Sequence, residues 1–271
     1  MTSILQIADV HFGAEDKGAL RAVREVEEEL APDLVLVCGD ITQTGSTHEF
    51  KAARDWLAGF SAPIVAMPGN HDAPYYSPLS RVLSPYGRFE KYIRTLCQDS
   101  YADAHVHVLP YNSSRAFQAK LDWSTGVVDP EDLAELIGRF QAGDSSGKLS
   151  LLALHHPLVY PPESPLDKTT KGGPEALRML SDAGCDAVLT GHIHIPFVKD
   201  REPGQTGLLS IGAGTLSTRR RGVSSSFNHI EVDAERMRVT AVDFEDDDGG
   251  GAGGGALQRR ASWSKGRETF A

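Results

Sequence analysis

Cysteine is scarce in this sequence: Cys38, Cys97 and Cys185 are the 3 present in 271 residues. So few and so scattered, they exclude a disulfide framework and a thiolate metal site, and read as buried or free thiols in a reducing compartment. Long apolar runs are missing as well. No segment approaches the length of a membrane span, and Met1 to Ala8 lack a basic stretch followed by a long apolar run. A cytoplasmic protein with no membrane partner is the expectation. Basic residues are in deficit, with 27 Lys and Arg against 37 Asp and Glu, a formal net charge of -10. That balance disfavours a surface built to embrace nucleic acid. It leaves room for a small anionic substrate, because bound metal cations reverse the local sign. The remainder is ordinary for a globular chain, 40% hydrophobic and 24% charged, and long enough for a substantial core.

Apolar patterning then orders the chain. Ile4 to Ala8 reads as a first strand ending in Asp9-Val10-His11, and Leu20, Val23, Val26 and Leu30 recur at helical spacing. Leu34 to Cys38 is a fully apolar second strand followed at once by Gly39-Asp40. Ser46 and Glu49 make a capping box for a helix that buries Phe50, Ala53 and Leu57. Pro63 to Met67 is a third strand, stopped by Pro68 and delivering Gly69-Asn70-His71-Asp72. This alternation is the mark of parallel βαβ units.

From Ala73 to about Leu109 the pattern loosens into an excursion with one helix near Phe89 to Cys97. Asp129-Pro130 opens a further helix, Leu149 to Leu154 is a strand ending in His155-His156-Pro157, and Gly173-Pro174 opens a helix that Gly184 closes. Ala187 to Leu189 is a strand ending in Gly191-His192-Ile193-His194. Short strands at 197–198, 207–211, 227–232 and 237–244 then suggest an antiparallel run. At Asp246 the composition turns Gly-rich, and 246–271 reads as a flexible tail.

Each polar strand end has an ordinary explanation by itself: Asp9 as a helix cap, Asp40 as a turn residue, Asn70 in an Asx-turn, the histidines as satisfied polar groups. Their joint occurrence at predicted strand ends is what calls for chemistry. Asp9/His11 and His192/His194 are two apart, and on extended backbone such side chains share a face. Carboxylates, imidazoles and one amide, with no sulfur, suit Mn, Fe, Zn or Co rather than Mg or Ca. The candidates outnumber one ion's needs, so two divalent transition-metal ions about 3.5–4 Å apart are expected, with Asp40 as the bridging carboxylate. A bridging hydroxide between two such ions suits in-line attack on a phosphate ester.

The ordered series Asp-x-His, Gly-Asp, Gly-Asn-His-Asp, His-His-Pro and Gly-His-x-His resembles the calcineurin-like metallophosphoesterase superfamily, from Ile4 to His194. The resemblance implies an α/β fold, a four-layer αββα sandwich of two mixed β-sheets, with a dinuclear site at the strand ends. It implies Asp9, His11 and His194 on one metal, Asn70, His155 and His192 on the other, and Asp40 between them. His71 would contact the phosphate and assist the leaving group. His155 is implied as ligand of the His-His pair, with His156 supporting it. The metallophosphoesterase domain would run over 1–245. Gly39-Asp40-Ile41-Thr42-Gln43 departs from the Ser/Thr protein phosphatase pattern, and the compact motifs are closer to bacterial phosphodiesterases, including class III cyclic-nucleotide and glycerophosphodiester hydrolases. A small phosphodiester is the expected substrate. SbcD-type nucleases, nucleotide-pyrophosphate hydrolases and a non-catalytic scaffold are the alternatives. Arg219-Arg220-Arg221 reads as a solvated turn rather than as a neutraliser of substrate charge.

Overall fold

Fully apolar runs bounded by turn residues form the inner strands, and amphipathic stretches between them form the covering helices. The computed structural model describes residues 1–115, 122–142, 147–200, 208–246, 255–259 and 262–266. The first half comprises β1 (Thr2–Ile7), α1 (Lys17–Leu30), β2 (Leu34–Cys38), α2 (Thr47–Leu57) and β3 (Ile64–Met67). Asp16 caps α1 by accepting from the backbone N–H groups of Gly18 and Ala19, and the Ser46/Glu49 capping box opens α2 as its sequence predicts.

A 3-10 turn (Asn70–Asp72) follows β3, then α3 (Pro78–Leu83), α4 (Gly87–Tyr92) and a second 3-10 turn (Arg94–Leu96). The single helix expected near 89–97 is therefore split, and α3 precedes it. Pro78 occupies the first turn of α3, and Phe89 and Ile93 are the fully buried anchors of the excursion. The chain continues through β4 (Tyr101–Ala102), β5 (Val106–Pro110), α5 (Pro130–Ala142), β6 (Leu149–Ala153), α6 (Gly173–Asp182) and β7 (Ala187–Thr190). It ends with β8 (Phe197–Lys199), β9 (Leu209–Gly212), β10 (Ser225–Val232), β11 (Arg236–Asp246), β12 (Gly255–Arg259) and β13 (Trp263–Gly266).

Among the described residues the strands form two mixed sheets. One has 7 strands in the order β12-β11-β10-β1-β2-β3, with β13 also on β11; the other has 6 in the order β4-β5-β6-β7-β9-β8. β1, β2 and β3 are parallel, as are β5, β6, β7 and β9. The antiparallel run expected after 197 is thus divided. β9 joins the second sheet in parallel, with β8 antiparallel at its edge, whereas β10 and β11 extend the first sheet.

Alternation along the strands sorts side chains into three apolar layers. Ile4, Leu34, Leu36 and Val65 meet Val108, Leu151 and Leu189 between the sheets. Leu5, Ile7, Val35 and Val37 pack beneath α1 and α2 on one outer face, and Leu152 and Val188 beneath α5 and α6 on the other. Two sheets with helices outside both give the four-layer αββα sandwich that the resemblance implies.

The C-terminal expectation needs correcting. Gly255–Arg259 and Trp263–Gly266 are strands that pair antiparallel with β11, the first against 242–246 and the second against 236–239. Gly-rich composition hides the first of them, which pairs with an existing edge, while the second carries Trp263 packed against the core between the sheets. The other residues of the 246–271 stretch beyond Asp246 and Ser262 lie outside the described residues. Among the described residues no helix is long and apolar enough to cross a membrane.

Candidate metal centre

The carboxyl ends of β1, β2, β3, β6 and β7 converge on one edge of the sandwich and bring every predicted ligand there. They do so on unusual backbone. Asp9 (φ 52°), His11 (φ 49°), Asp40 (φ 49°), His192 (φ 71°) and His194 (φ 61°) all lie in the left-handed region, which costs a non-glycine residue about 1–3 kcal/mol. The extended geometry expected for Asp9-Val10-His11 and His192-Ile193-His194 is therefore wrong. Left-handed turns rather than strand alternation aim these side chains. Backbone bonds hold the turns, with Asp9 N–H donating to Gly39 O (3.1 Å), His11 N–H to Asp40 O (3.0 Å) and Gly191 N–H to His155 O (3.0 Å).

Two groups of ligand atoms result, and Asp40 stands between them. Asp9 Oδ1 lies 3.2 Å from His194 Nε2 and 3.8 Å from His11 Nε2, and the two imidazole nitrogens are 3.3 Å apart. On the other side, His192 Nδ1 lies 3.2 Å from His155 Nε2, and His156 joins the same group. Asp40 Oδ2 is 3.8 Å from His11 Nε2 and 3.4 Å from His155 Nε2, so one carboxylate oxygen faces both groups. His192 and His194 do not grip one point together; they divide between the groups. Asn70 opens the 3-10 turn beside His71, and its Oδ1 is buried with no hydrogen-bond partner.

The ring orientation is that of ligands. His155 and His194 each set Nδ1 2.8 Å from a backbone carbonyl, of Cys38 and Arg219 respectively. A carbonyl only accepts, so Nδ1 carries a proton and Nε2 is the nitrogen turned inward. Burial pulls His11 down to about 3 against the opposing pull of Asp40 and Asp9. Burial and neighbouring imidazoles also hold His156 and His192 well below the ordinary range. His155 goes the other way: burial opposes its charge, but Asp40 and Asp9 lift it to about 9. Burial pushes the Asp40 carboxyl up, and His155, His71 and His11 outweigh it and hold it well below its ordinary value. Carboxylates this deeply buried call for positive charge, and a cation on the inward lone pairs meets that demand as a proton would.

Fit to metal ions is tested by polar atoms left unpaired. Buried side-chain atoms without a partner include Asp9 Oδ1, Asn70 Oδ1 and His192 Nε2 from the predicted ligands, and His156 Nε2 beside them. Unpartnered buried polar atoms are rare and costly, and these are all able to offer lone pairs. The residues present fit cations bound through nitrogen and oxygen.

His71 stands apart from the rest. Its Nδ1 lies 2.7 Å from Gln43 O, its ring meets His11 edge-on at 4.8 Å, and its Nε2 lies 3.1 Å from Arg219 Nη1. Asp72 is fully buried and accepts from the N–H groups of Gly69 (2.8 Å), Ile41 (3.2 Å) and Thr42 (2.8 Å) and from Thr42 Oγ1 (2.8 Å). It ties the Asp40 turn to the Asn70 turn. His156 Nδ1 lies 2.9 Å from Ser113 Oγ, so both histidines of the pair reach the centre but only His155 faces Asp40 closely. Arg219 is the main residue misjudged from sequence: it is half-buried at the centre. The signal was its place just beyond β9, another parallel strand ending on this edge.

A sandwich with a buried nitrogen and oxygen ligand cluster at its strand ends defines a metal-dependent phosphoesterase architecture. A family model described as calcineurin-like phosphoesterase matches residues 2–196, and the chain belongs to that family. A probable cyclic nucleotide phosphodiesterase of Synechococcus sp. is 28% identical over 248 residues, covering 86% of this chain and 88% of that protein. The 3',5'-cyclic adenosine monophosphate phosphodiesterase CpdA of Escherichia coli K12 is 29% identical over 167 residues; the match covers 56% of this chain and only 54% of that protein. Among solved structures, a dimetal phosphatase from Danio rerio superposes with a TM-score of 0.67 at 14% identity, covering 89% of this chain and 95% of that one. At that identity the likeness speaks for the fold.

Proposed function

We propose that this chain hydrolyses a small phosphodiester of the cyclic-nucleotide type at a centre of two divalent transition-metal ions, Mn, Fe or Zn. The observation that carries the reading is the convergence of buried, unpartnered lone-pair atoms from both sheets around the single carboxylate of Asp40. The name and near-complete overlap of the Synechococcus relative supports the substrate class. Asp9, His11 and His194 would hold one ion and Asn70, His155 and His192 the other, with Asp40 placed to serve both. Such ions would neutralise phosphoryl oxygens and lower the pKa of a water to near neutrality.

The chain's own residues supply the rest. Asn70 contributes an oxygen without adding negative charge that would repel the substrate. The carbonyls of Cys38 and Arg219 fix the ring tautomers so that lone pairs stay inward. His71, oriented by Gln43 O, presents Nε2 to the departing oxygen; a water oxygen gives up a proton and bonds to phosphorus, the P–O bond on the opposite side breaks, the departing oxygen keeps the electron pair, and a proton from a protonated Nε2 or from solvent completes the alcohol.

The test is hydrolysis of bis(p-nitrophenyl) phosphate by metal-loaded protein, expected to vanish on chelation and to collapse in Asp40→Ala and Asn70→Ala. Activity that survived both would sink the reading. A panel of 3',5'-cyclic nucleotides, glycerophosphodiesters, nucleotide pyrophosphates and single-stranded DNA then decides the substrate, and preference for DNA would transfer the site to the nuclease class.

A further inference from the structure

The arginine run after β9 separates into different environments. Arg220 is neutralised, with Nη2 2.5 Å from Asp16 Oδ2. Arg219 reaches into the metal centre instead. Its Nη1 lies 3.1 Å from His71 Nε2, 3.4 Å from His11 Nε2 and 3.4 Å from Gln43 Oε1. These partners are two imidazole rings and an amide oxygen, with Nη1 also 3.5 Å from His11 Nδ1. Among the described residues no carboxylate forms an ion pair with Arg219. A charge-assisted bond from guanidinium to an anion runs near 2.7–2.9 Å. The contacts seen are longer, and they leave the cation without an anion.

The backbone around Arg219 is fixed from several directions. Thr215 Oγ1 donates to Asp9 O (2.7 Å), Thr218 N–H to Ala14 O (2.9 Å) and Arg219 N–H to Ser217 Oγ (3.3 Å), while Arg219 O accepts from His194 Nδ1 (2.8 Å). The loop is anchored to the turn that bears Asp9 and His11, and the side chain is aimed from a rigid base. A solvated turn would need none of this.

We propose that Arg219 is a catalytic residue: its guanidinium donates to a non-bridging oxygen of the bound phosphodiester, on the side of the centre where His71 faces the leaving group. This rests on the phosphodiesterase reading above. With the His11 lone pair committed to a cation, the weak Arg219 contact to that ring gives way to the phosphoryl oxygen. The planar fork matches phosphate oxygens in a way that an ammonium does not. Charge that grows on those oxygens in the transition state strengthens the bond there more than in the ground state. Substituting the side chain leaves the carbonyl that orients His194 in place, so the test isolates the guanidinium.

The experiment compares metal-loaded wild type, Arg219→Lys and Arg219→Met by metal content per chain, calorimetric binding of inorganic phosphate, and steady-state hydrolysis of bis(p-nitrophenyl) phosphate. Full metal content is expected in all three. Arg219→Met should lose roughly 10²-fold in kcat/KM, as for removal of one oxyanion donor, and bind phosphate roughly tenfold more weakly, the scale of one hydrogen bond to a charged group. Arg219→Lys, which keeps the charge and disturbs the loop least, should fall between. Unchanged phosphate affinity and kcat/KM in Arg219→Met would overturn the proposal, as would activity lost in proportion to lost metal. Wild type that bound phosphate in an Arg219-dependent way yet cleaved no phosphodiester would sink the functional reading and leave the Arg219 contact standing.

Discussion

Gly69 shows how little slack the centre has. A Cβ at this position would sit 2.1 Å from Asp40 Oδ1 and 2.3 Å from Asp40 N, against backbone and a ligand that cannot yield. Gly69→Ala should therefore displace Asp40 and abolish metal-dependent hydrolysis, and an active variant with full metal content would contradict the geometry. Asp72→Asn is a gentler probe. One carboxylate oxygen becomes an amide that faces N–H donors, at a cost of about 1–3 kcal/mol for a buried donor left unsatisfied. Lower thermal stability and a lower kcat, with the Asn70 and Asp40 turns loosened together, are expected from melting curves and steady-state kinetics. The ligand types and their order are legible in the sequence, since each ends an apolar strand. The left-handed backbone at Asp9, His11, Asp40, His192 and His194 is not, because local preference reserves that region mainly for glycine and asparagine. Only tertiary packing holds such strain, which is why the expectation of extended pairs failed while the residues themselves were right.

Elements with strong local signals were equally legible. The Ser46/Glu49 box and the apolar spacing of α1 and α2 act within a turn or two of chain, so sequence carries them. The start of α1 adds something sequence cannot show. Asp16 caps the helix and also accepts from Ser225 Oγ (2.8 Å) and Arg220 Nη2, tying α1 to β10 and to the arginine loop. Burial raises the Asp16 carboxyl, but the bonds from Arg220, Ala19 and Ser225 prevail and lower it below its ordinary value of 3.8. A carboxyl depressed in the folded state stabilises fully above its unfolded pKa and loses that contribution as pH falls through the folded one. Asp16→Ala should cost about 1–2 kcal/mol near pH 7, the scale of a lost N-cap. The gap to wild type should shrink only below pH 3.8. Urea midpoints of both proteins across that range check the sign, and a gap that widened on acidification would refute it.

At the scale of the molecule, the centre joins two sheets that elsewhere meet through apolar contact and a few buried hydrogen bonds, such as Gln6 Nε2 to Thr190 O (3.0 Å) and Asn228 Nδ2 to Gly212 O (3.0 Å). The 7-stranded sheet delivers Asp9, His11, Asp40 and Asn70, and the 6-stranded sheet delivers His155, His192 and His194. Cations bound between them would clamp one end of the sandwich. Asp72 lies buried beside the ligands, and burial together with the Asp40 charge pushes its carboxyl up to about 6. Cations bound at the ligands would add stability on loading. Ligand at a hundredfold excess over its Kd contributes about 2.7 kcal/mol. Wild type should therefore melt several degrees lower after chelation, with full recovery on return of metal. Asp40→Asn keeps the shape and can still accept from His71 N–H, yet removes one buried charge. Burial opposes the Asp40 charge, but His155, His71 and His11 outweigh it, so the charge stabilises the metal-free fold near neutral pH. Asp40→Asn should therefore melt below wild type without metal and gain much less on loading. An Asp40→Asn protein that gained as much from metal as wild type would mean that Asp40 serves no ion.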